Sequence, residues 1–196
     1  MSQTEELAAA AARLVVDKGM EYGAAKRRAA RDFGRRSGRR AELPSNEQIE
    51  DQVREHIELF HAETQPAELR ELRAVAAVWM QRMAEFRPHL SGAAWRGTAT
   101  RLSAVHLDLY CDDAKAAEIA LINAGVDYDT ASLDRADGRP LSVLSVASRS
   151  EVLRDWVTVH MTVHDLDDQR GALKPDAQGR TWRGDLAALQ RLLQAP

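Results

Sequence analysis

The sequence predicts an α+β protein in which a helical N-terminal half packs against a small mixed sheet. Apolar residues recur at helical spacing as far as Pro88, and beyond it they alternate with polar residues in the manner of strands. The 196 residues, of which 44% are apolar and 29% charged, suffice for one mid-sized domain or two small ones. We therefore expect a helical region over residues 1–90 and an α+β region over residues 91–196, which can form one compact unit with the helix over 66–87.

The first two predicted helices lead into a strongly basic stretch. The first covers residues 4–18 and ends at Gly19, and the second covers residues 22–33 and ends at Gly34. Residues 26–40 contain eight basic side chains and one acidic side chain. The basic residues are Lys26, Arg27, Arg28, Arg31, Arg35, Arg36, Arg39 and Arg40. This charge predicts an acidic protein partner or nucleic-acid phosphates, and the alternative is a solvated helix face that runs into a loop.

The third and fourth helices have clear start signals. Ser45 and Gln48 form a capping box, so the third helix begins after Ser45. Thr64 and Pro66 open the fourth, which is the longest and has a wide apolar face. Pro88 marks its end, because proline does not fit a helix interior.

Beyond Pro88 the sequence predicts five strands and two helices. Strands are expected near 92–96, 104–111, 126–133, 141–147 and 155–164, and helices at 114–124 and 184–194. Asp137 and Gly138 supply a tight turn between the third and fourth strands. The segment "KPDAQGRTWRGD" is predicted as a loop, with Asp185 as the cap of the last helix. Asp112 and Asp113 are predicted caps of the helix over 114–124, and their charge excludes an anion site there.

Several function classes are excluded by composition. The start "MSQTEELAAA" is acidic where a secretory signal would be basic and apolar, and no apolar run approaches the roughly 18 residues of a membrane helix. We therefore expect a cytosolic protein with no membrane partner. The single Cys111 excludes an intrachain disulfide framework and a cysteine metal cluster.

Two of the predicted strands have a polar face. On 104–111, His106, Asp108 and Tyr110 point to the side opposite Val105, Leu107 and Leu109, because side chains alternate across a strand. On 155–164, Thr158, His160, Thr162 and His164 form the polar side. These two faces are where chemistry is expected.

The stretch "WRGTATRLSAVHLDLYCDD" resembles the nucleotidyltransferase superfamily of the polymerase-beta type. In that family a Gly-Ser after the first strand holds triphosphate oxygens, and two carboxylates on the next strand hold metal ions. The resemblance covers residues 66–124 and implies a nucleotidyltransferase-like sheet and a nucleotide ligand with Mg²⁺. The nucleotide-binding candidates it implies are Gly97, Thr98, Arg101, Ser103, His106 and Asp108.

The departures from this pattern are as informative as the matches. With Ser103 fixing the register, the carboxylate positions hold Ala104 and His106, and a shifted register recovers only Asp108. Mg²⁺ prefers oxygen ligands, so two-metal nucleotidyl transfer is expected to be disabled. The metal candidates that remain are Asp108, His160 and Asp165. His106 and Asp108 with one histidine of the last strand suit zinc instead, provided that the two strands are neighbours.

The whole chain also resembles short bacterial proteins that often carry the name UDP-N-acetylmuramate-alanine ligase. The segments that carry this resemblance are "GMEYGAAKRRAA", "TQPAELRELRAVAAVWMQRMAEFRPHLSGA" and "DLDDQRGALKPDAQGRTWRGD". An ATP-dependent ligase of that type holds phosphates with a glycine-rich loop that contains Gly-Lys-Thr, and no Gly-Lys-Ser/Thr occurs in this sequence. The chain is also too short for the three domains of such an enzyme.

Three functions remain open at this point. The first is noncatalytic or altered nucleotide binding on a nucleotidyltransferase-like scaffold. The second is an interaction protein that uses residues 26–40, and the third is nucleotidyl transfer with a second carboxylate supplied by Asp165 or Asp167.

Overall fold

A computed structural model describes residues 2–37, 42–135, 138–175 and 179–194. The chain forms two compact units, one of residues 1–68 and 98–103 and the other of residues 69–97 and 104–196. The first is called the helical unit below and the second the sheet unit. The boundary that the sequence predicts between residues 90 and 91 stays a prediction.

The helical unit is built on α1 (Gln3–Lys18), α2 (Tyr22–Ser37) and α3 (Asn46–Phe60). Helix α1 ends at Gly19, whose left-handed backbone (φ 63°) confirms the predicted cap. The capping box of Ser45 and Gln48 is present at the start of α3 and confirms that prediction. The buried residues form one apolar cluster: Leu7, Ala8, Ala11, Ala12, Val15, Val16, Ala25, Ala29, Ile49, Val53 and Ile57.

The predicted end of the second helix at Gly34 is wrong. Helix α2 continues to Ser37, so Gly34 lies inside it. A glycine in a helix interior costs about 1 kcal/mol relative to alanine, but it ends the helix only where its own backbone is left-handed.

The sheet unit contains a six-stranded mixed sheet, which confirms the α+β class. Its strands are β1 (His89–Ser91), β2 (Val105–Cys111), β3 (Asp129–Leu133), β4 (Leu141–Ser150), β5 (Asp155–Asp165) and β6 (Arg183–Gly184). They lie in the order β3-β4-β5-β2-β1-β6. Strands β2 and β5 are parallel and every other neighbouring pair is antiparallel.

Four helices complete the elements described by the structure. They are α4 (Gln65–Arg82), α5 (Gly92–Arg96), α6 (Ala116–Asn123) and α7 (Leu186–Gln194). Short 3₁₀ turns cover Ala84–Phe86 and Leu166–Gln169. Asp185 accepts a hydrogen bond from the backbone N–H of Ala188 at 2.8 Å, which confirms the predicted cap of α7.

The strand predicted at 92–96 is wrong. The first strand is β1, and the chain leaves it at Gly92, whose φ of 65° is outside the strand region, before forming α5. The two alanines of "GAAWR" favour helix.

Two further expectations need correction. The segment predicted as a loop before Asp185 contains β6, which pairs with the edge of β1. The N-cap of α6 is Lys115, which has no side-chain cap, whereas the carboxylate of Asp113 accepts the N–H of Lys115 at 2.9 Å in the preceding turn. Gly138 is left-handed (φ 76°) between β3 and β4, but Asp137 of the predicted turn lies outside the described residues.

The sheet has one apolar and one polar face. Val105, Leu107 and Leu109 of β2 lie beside Val159, Met161 and Val163 of β5, and all six are buried. The polar side chains alternate with them and point to the other face, as the sequence predicts. Among the helices that the structure describes, none is long and apolar enough to cross a bilayer.

Candidate functional site

The polar faces of β2 and β5 form one continuous surface in the sheet unit. The parallel register places His106 beside His160, Asp108 beside Thr162, and Tyr110 beside His164. Paired residues on neighbouring strands point to the same side of a sheet. These side chains can contact one another only if β2 and β5 are neighbouring strands, and the register shows that they are.

Asp108 lies in an ion-pair cluster on this face. Its side chain is 12% exposed. Nε2 of His164 lies 3.0 Å from Oδ1 of Asp108 and can donate a hydrogen bond to it. Nη1 of Arg183 lies 3.1 Å from Oδ2 of Asp108 and donates a hydrogen bond to the hydroxyl of Tyr110 at 2.6 Å. Asp108 is thus compensated on both oxygens by side chains of the protein itself.

The pKa of Asp108 reflects this arrangement. Burial raises the pKa, but the hydrogen bond from His164 and the charges of Arg183 and His164 lower it by more, so it lies below its ordinary value. Asp108 is therefore a carboxylate at neutral pH. Burial raises the pKa of Tyr110, so its phenol stays protonated beside that carboxylate.

Two half-buried imidazoles lie next to this cluster. The ring centroids of His106 and His160 are 5.2 Å apart, and the planes are tilted by 36°. Nδ1 of His160 lies 2.8 Å from the hydroxyl of Ser145 on β4, within hydrogen-bond distance. A Cβ at Gly92 would lie 3.3 Å from the ring of His106, so this glycine lets β1 turn closely past the imidazole. Both of these side chains offer nitrogen, not oxygen, as a ligand atom.

Asp165, the last residue of β5, does not lie beside Asp108 in the sheet register. Asp165 pairs with Cys111, whereas Asp108 pairs with Thr162, three residues earlier on β5. Three residues span roughly 10 Å along a strand, and an odd number of residues places the two side chains on opposite faces of the sheet. Asp165 accepts the N–H of Asp167, and Asp168 pairs with Arg135. These acids line a cleft beyond the carboxyl ends of β2 and β5.

Gly97 belongs to the sheet unit and ends α5. Its backbone is left-handed (φ 83°), and its N–H donates to the carbonyl of Ala93. The glycine that directly follows the first strand is Gly92, with Ala93 after it, so no hydroxyl stands at that position. The role predicted for Gly97 in phosphate binding stays a prediction.

Thr98, Arg101 and Ser103 belong to the helical unit. The side chain of Thr98 is buried, and its hydroxyl lies 3.4 Å from that of Tyr22. The hydroxyl of Ser103 accepts the N–H of Thr100 at 3.0 Å, so it holds a turn of its own chain. The backbone N–H of Arg101 donates to Glu68 at 2.9 Å.

The basic stretch lies on α2 as far as the described residues extend. Arg27, Arg28 and Arg31 are exposed, and Arg28 pairs with Asp32 at 3.1 Å. Lys26 donates to Asn46 of α3 at 3.0 Å. Arg35 and Arg36 also belong to α2, whereas Arg39 and Arg40 lie outside the described residues.

Sequence reasoning missed Arg183 as a member of the site. The residue lies in a segment rich in glycine and charged residues that predicts a loop, and no periodicity or spacing links it to Asp108, which is far away in the sequence. It reaches Asp108 because β6 pairs with β1, which in turn pairs with β2.

Comparison with known proteins gives little beyond this geometry. No family model matches the chain, and no curated protein matches it. Half of the chain is similar to a crystal structure of the Cid1 poly(U) polymerase with MgGTP bound, at 15% identity and a TM-score of 0.37. The matched part is 32% of the polymerase chain.

Proposed function

We propose that the protein binds a nucleotide on the polar face of β2 and β5 and does not transfer its nucleotidyl group. The observation that carries the proposal is the compensation of Asp108 by Arg183 and His164. The resemblance of residues 66–124 to nucleotidyltransferases favours a nucleotide as the ligand.

The residues of this face do not fit a pair of Mg²⁺ ions. Mg²⁺ needs near-octahedral oxygen ligands, and two-metal catalysis needs carboxylates that reach both ions. Asp108 is the carboxylate on this face of β2; Nε2 of His164 lies 3.0 Å from its Oδ1, and Nη1 of Arg183 lies 3.1 Å from its Oδ2 without forming a hydrogen bond. His106 and His160 supply nitrogen, not oxygen. Among the described residues of this face, one carboxylate on β2 and two imidazoles disfavour transfer that relies on two metal ions.

The same arrangement favours phosphate without a metal ion. A pair of bare carboxylates repels phosphate unless cations lie between them. Here a guanidinium is held 3.1 Å from the carboxylate, and the half-buried rings of His106 and His160 lie on the same face of the sheet, 5.2 Å from each other. Imidazole N–H groups and the hydroxyl of Ser145 can donate hydrogen bonds to phosphate oxygens.

The test is thermal unfolding of the full chain with ATP, GTP, CTP or UTP, each with Mg²⁺ or with EDTA. A nucleotide at 100 times its Kd adds about 2.7 kcal/mol of stability, which raises Tm by several degrees. We expect a rise that persists in EDTA and is lost in His106→Ala and in His160→Ala. Thr130→Ala on the edge strand β3 is the matched control and should retain it.

Three results would contradict the proposal. They are a rise that requires Mg²⁺, which would restore the transferase hypothesis; a rise that both histidine variants retain; and no rise with any nucleotide. Thr98→Ala tests the separate prediction that residues 97–103 bind the nucleotide. Loss of nucleotide binding in this variant would support that prediction, whereas unchanged binding would mean that the buried threonine contacts no ligand.

A second candidate function is binding of a polyanionic partner by α2. Arg27 and Arg31 are both exposed and lie four residues apart, so they share one stripe of the helix. This stripe supports an electrostatic contact with an acidic protein or with nucleic-acid phosphates.

A further inference from the structure

We propose that Asp17, His56 and His61 of the helical unit form a binding site for a transition-metal ion, with Zn²⁺ as the ion that fits best. Among the residues that the structure describes, these are the one group of three or more metal-ligating side chains whose ligand atoms all lie within 4.8 Å of one another. The metal site is separate from the polar face of the sheet, and this proposal does not depend on the function proposed for that face.

The three residues are held by two packed helices. Asp17 lies in the last turn of α1, His56 lies on α3, and His61 is the C-cap of α3. The backbone of His61 is fixed, because its N–H donates to Ile57 at 2.8 Å and its carbonyl accepts the N–H groups of Thr64 and Gln65. The ligand atoms are therefore carried by ordered backbone.

Two of the three distances between the ligand atoms are close to those around one shared ion, and all three are below 4.8 Å. Oδ1 of Asp17 lies 3.0 Å from Nε2 of His56 and 3.6 Å from Nε2 of His61. Ligands about 2.0–2.1 Å from a tetrahedral Zn²⁺ are about 3.3 Å from one another, which lies between the two observed distances. Both histidines present the same nitrogen, Nε2, to the same oxygen.

Hydrogen bonding alone does not account for the cluster. The contact of His56 with Asp17 has hydrogen-bond length, but the 3.6 Å contact of His61 exceeds that range. His61 is thus directed at Asp17 without a hydrogen bond to it. An ion placed among the three atoms satisfies both imidazoles at once.

The ligand chemistry selects the class of ion. Two imidazoles and one carboxylate suit Zn²⁺, Ni²⁺ and Cu²⁺, whereas Ca²⁺ and Mg²⁺ favour sets made of oxygen alone. Three protein ligands leave a fourth tetrahedral position open. The side chain of Asp17 is 44% exposed, so water can reach that position.

The first measurement is a Zn²⁺ titration of the full chain, produced without a histidine tag and stripped with EDTA that is then removed. Competition with a chromophoric chelator gives stoichiometry and Kd. We expect one ion per chain, and an affinity at least about 100-fold lower in Asp17→Asn and in His61→Ala, since even outer-shell changes cost 10–100-fold. His160→Ala removes a histidine of the sheet face and is the matched control that should bind as the wild type does.

Substitution with Co²⁺ provides a second readout. A tetrahedral site with nitrogen and oxygen ligands gives intense visible absorption, and His56→Ala should abolish it while far-UV circular dichroism stays unchanged. His61 is partly exposed at a helix end, so its replacement should not unfold the chain. The proposal fails if no ion binds at equimolar Zn²⁺, if Asp17→Asn and His61→Ala retain binding, or if His160→Ala removes it; the cluster would then be a set of ion pairs only.

Discussion

Replacement of Arg183 by methionine tests the cluster on which the proposed function rests. The change removes the guanidinium but keeps an unbranched side chain of similar length beside Asp108. Two unit charges 3.1 Å apart attract each other by about 5 kcal/mol at an effective dielectric constant of 20. Removal of one partner of a buried pair costs about 3–5 kcal/mol. Because His164 still contacts the carboxylate, we expect a loss near the lower figure, about 3 kcal/mol at pH 7.

The pH dependence of that loss has a definite sign. In the wild type the pKa of Asp108 lies below its ordinary value, so its contribution to stability is present above about pH 4 and disappears as pH falls through the folded pKa. Without Arg183 one of the causes that lower the pKa of Asp108 is absent, so this pKa is higher in the variant than in the wild type. As pH falls, the variant protonates Asp108 first and recovers stability relative to the wild type, because protonation removes the buried charge. The difference between wild type and variant should shrink from pH 7 to pH 4.

Hydrogen exchange resolves the effect within a chain of two units. Peptides that cover β2 and β5 report on the cluster, and a peptide that covers α1 serves as the internal control. Asp108→Asn in combination with Arg183→Met removes the uncompensated charge and should recover part of the loss. A loss below about 1 kcal/mol at pH 7, or an equal loss with and without Asp108, would refute this account.

Two further predictions concern other parts of the chain. In Gly184→Ala a new Cβ would collide with the indole of Trp95, so the indole must leave its place and break its hydrogen bond to the carbonyl of Thr181; we expect a loss of about 1–3 kcal/mol and an altered near-UV circular dichroism spectrum. If α2 binds a polyanion, the affinity for a DNA duplex should fall steeply between 50 and 200 mM salt. Combined Arg27→Gln and Arg31→Gln substitutions should reduce the salt slope by about 0.9 for each phosphate that the variant no longer neutralises, and Thr98→Ala should leave the slope unchanged.

Local signals were sufficient for most of the fold. Ser45 and Gln48 mark the start of α3, Gly19 marks the end of α1, and the alternation in β2 and β5 identifies both faces of the sheet. These features depend on residues close together in the sequence. The two-residue strand β6 had no such signal, because it exists only through its pairing with β1.

The candidate site was predictable in its parts but not in its contacts. The polar faces that carry Asp108 and His160 follow from the alternation within each strand. That the two faces lie side by side follows only from the order of the strands in the sheet. The same holds for the cluster in the helical unit, because His56 and His61 are five residues apart and only the packing of α1 on α3 brings Asp17 to them. The spacing of residues along the sequence does not reveal a set of ligands that comes from separate helices or strands.

The pairing of Asp108 with Arg183 changes how a carboxylate on such a face should be interpreted. Considered on its strand alone, Asp108 is a candidate metal ligand, whereas in the sheet it is already neutralised by a cation that, unlike a metal ion, cannot dissociate. The charge of the face is therefore fixed by the protein and not by the ions in solution. It follows that Arg183→Met should alter binding as well as stability. With the carboxylate uncompensated, nucleotide binding should weaken in EDTA and recover in part when Mg²⁺ is added, whereas wild-type binding should not respond to Mg²⁺. If Mg²⁺ did not change nucleotide binding to Arg183→Met, the phosphate would not lie near Asp108.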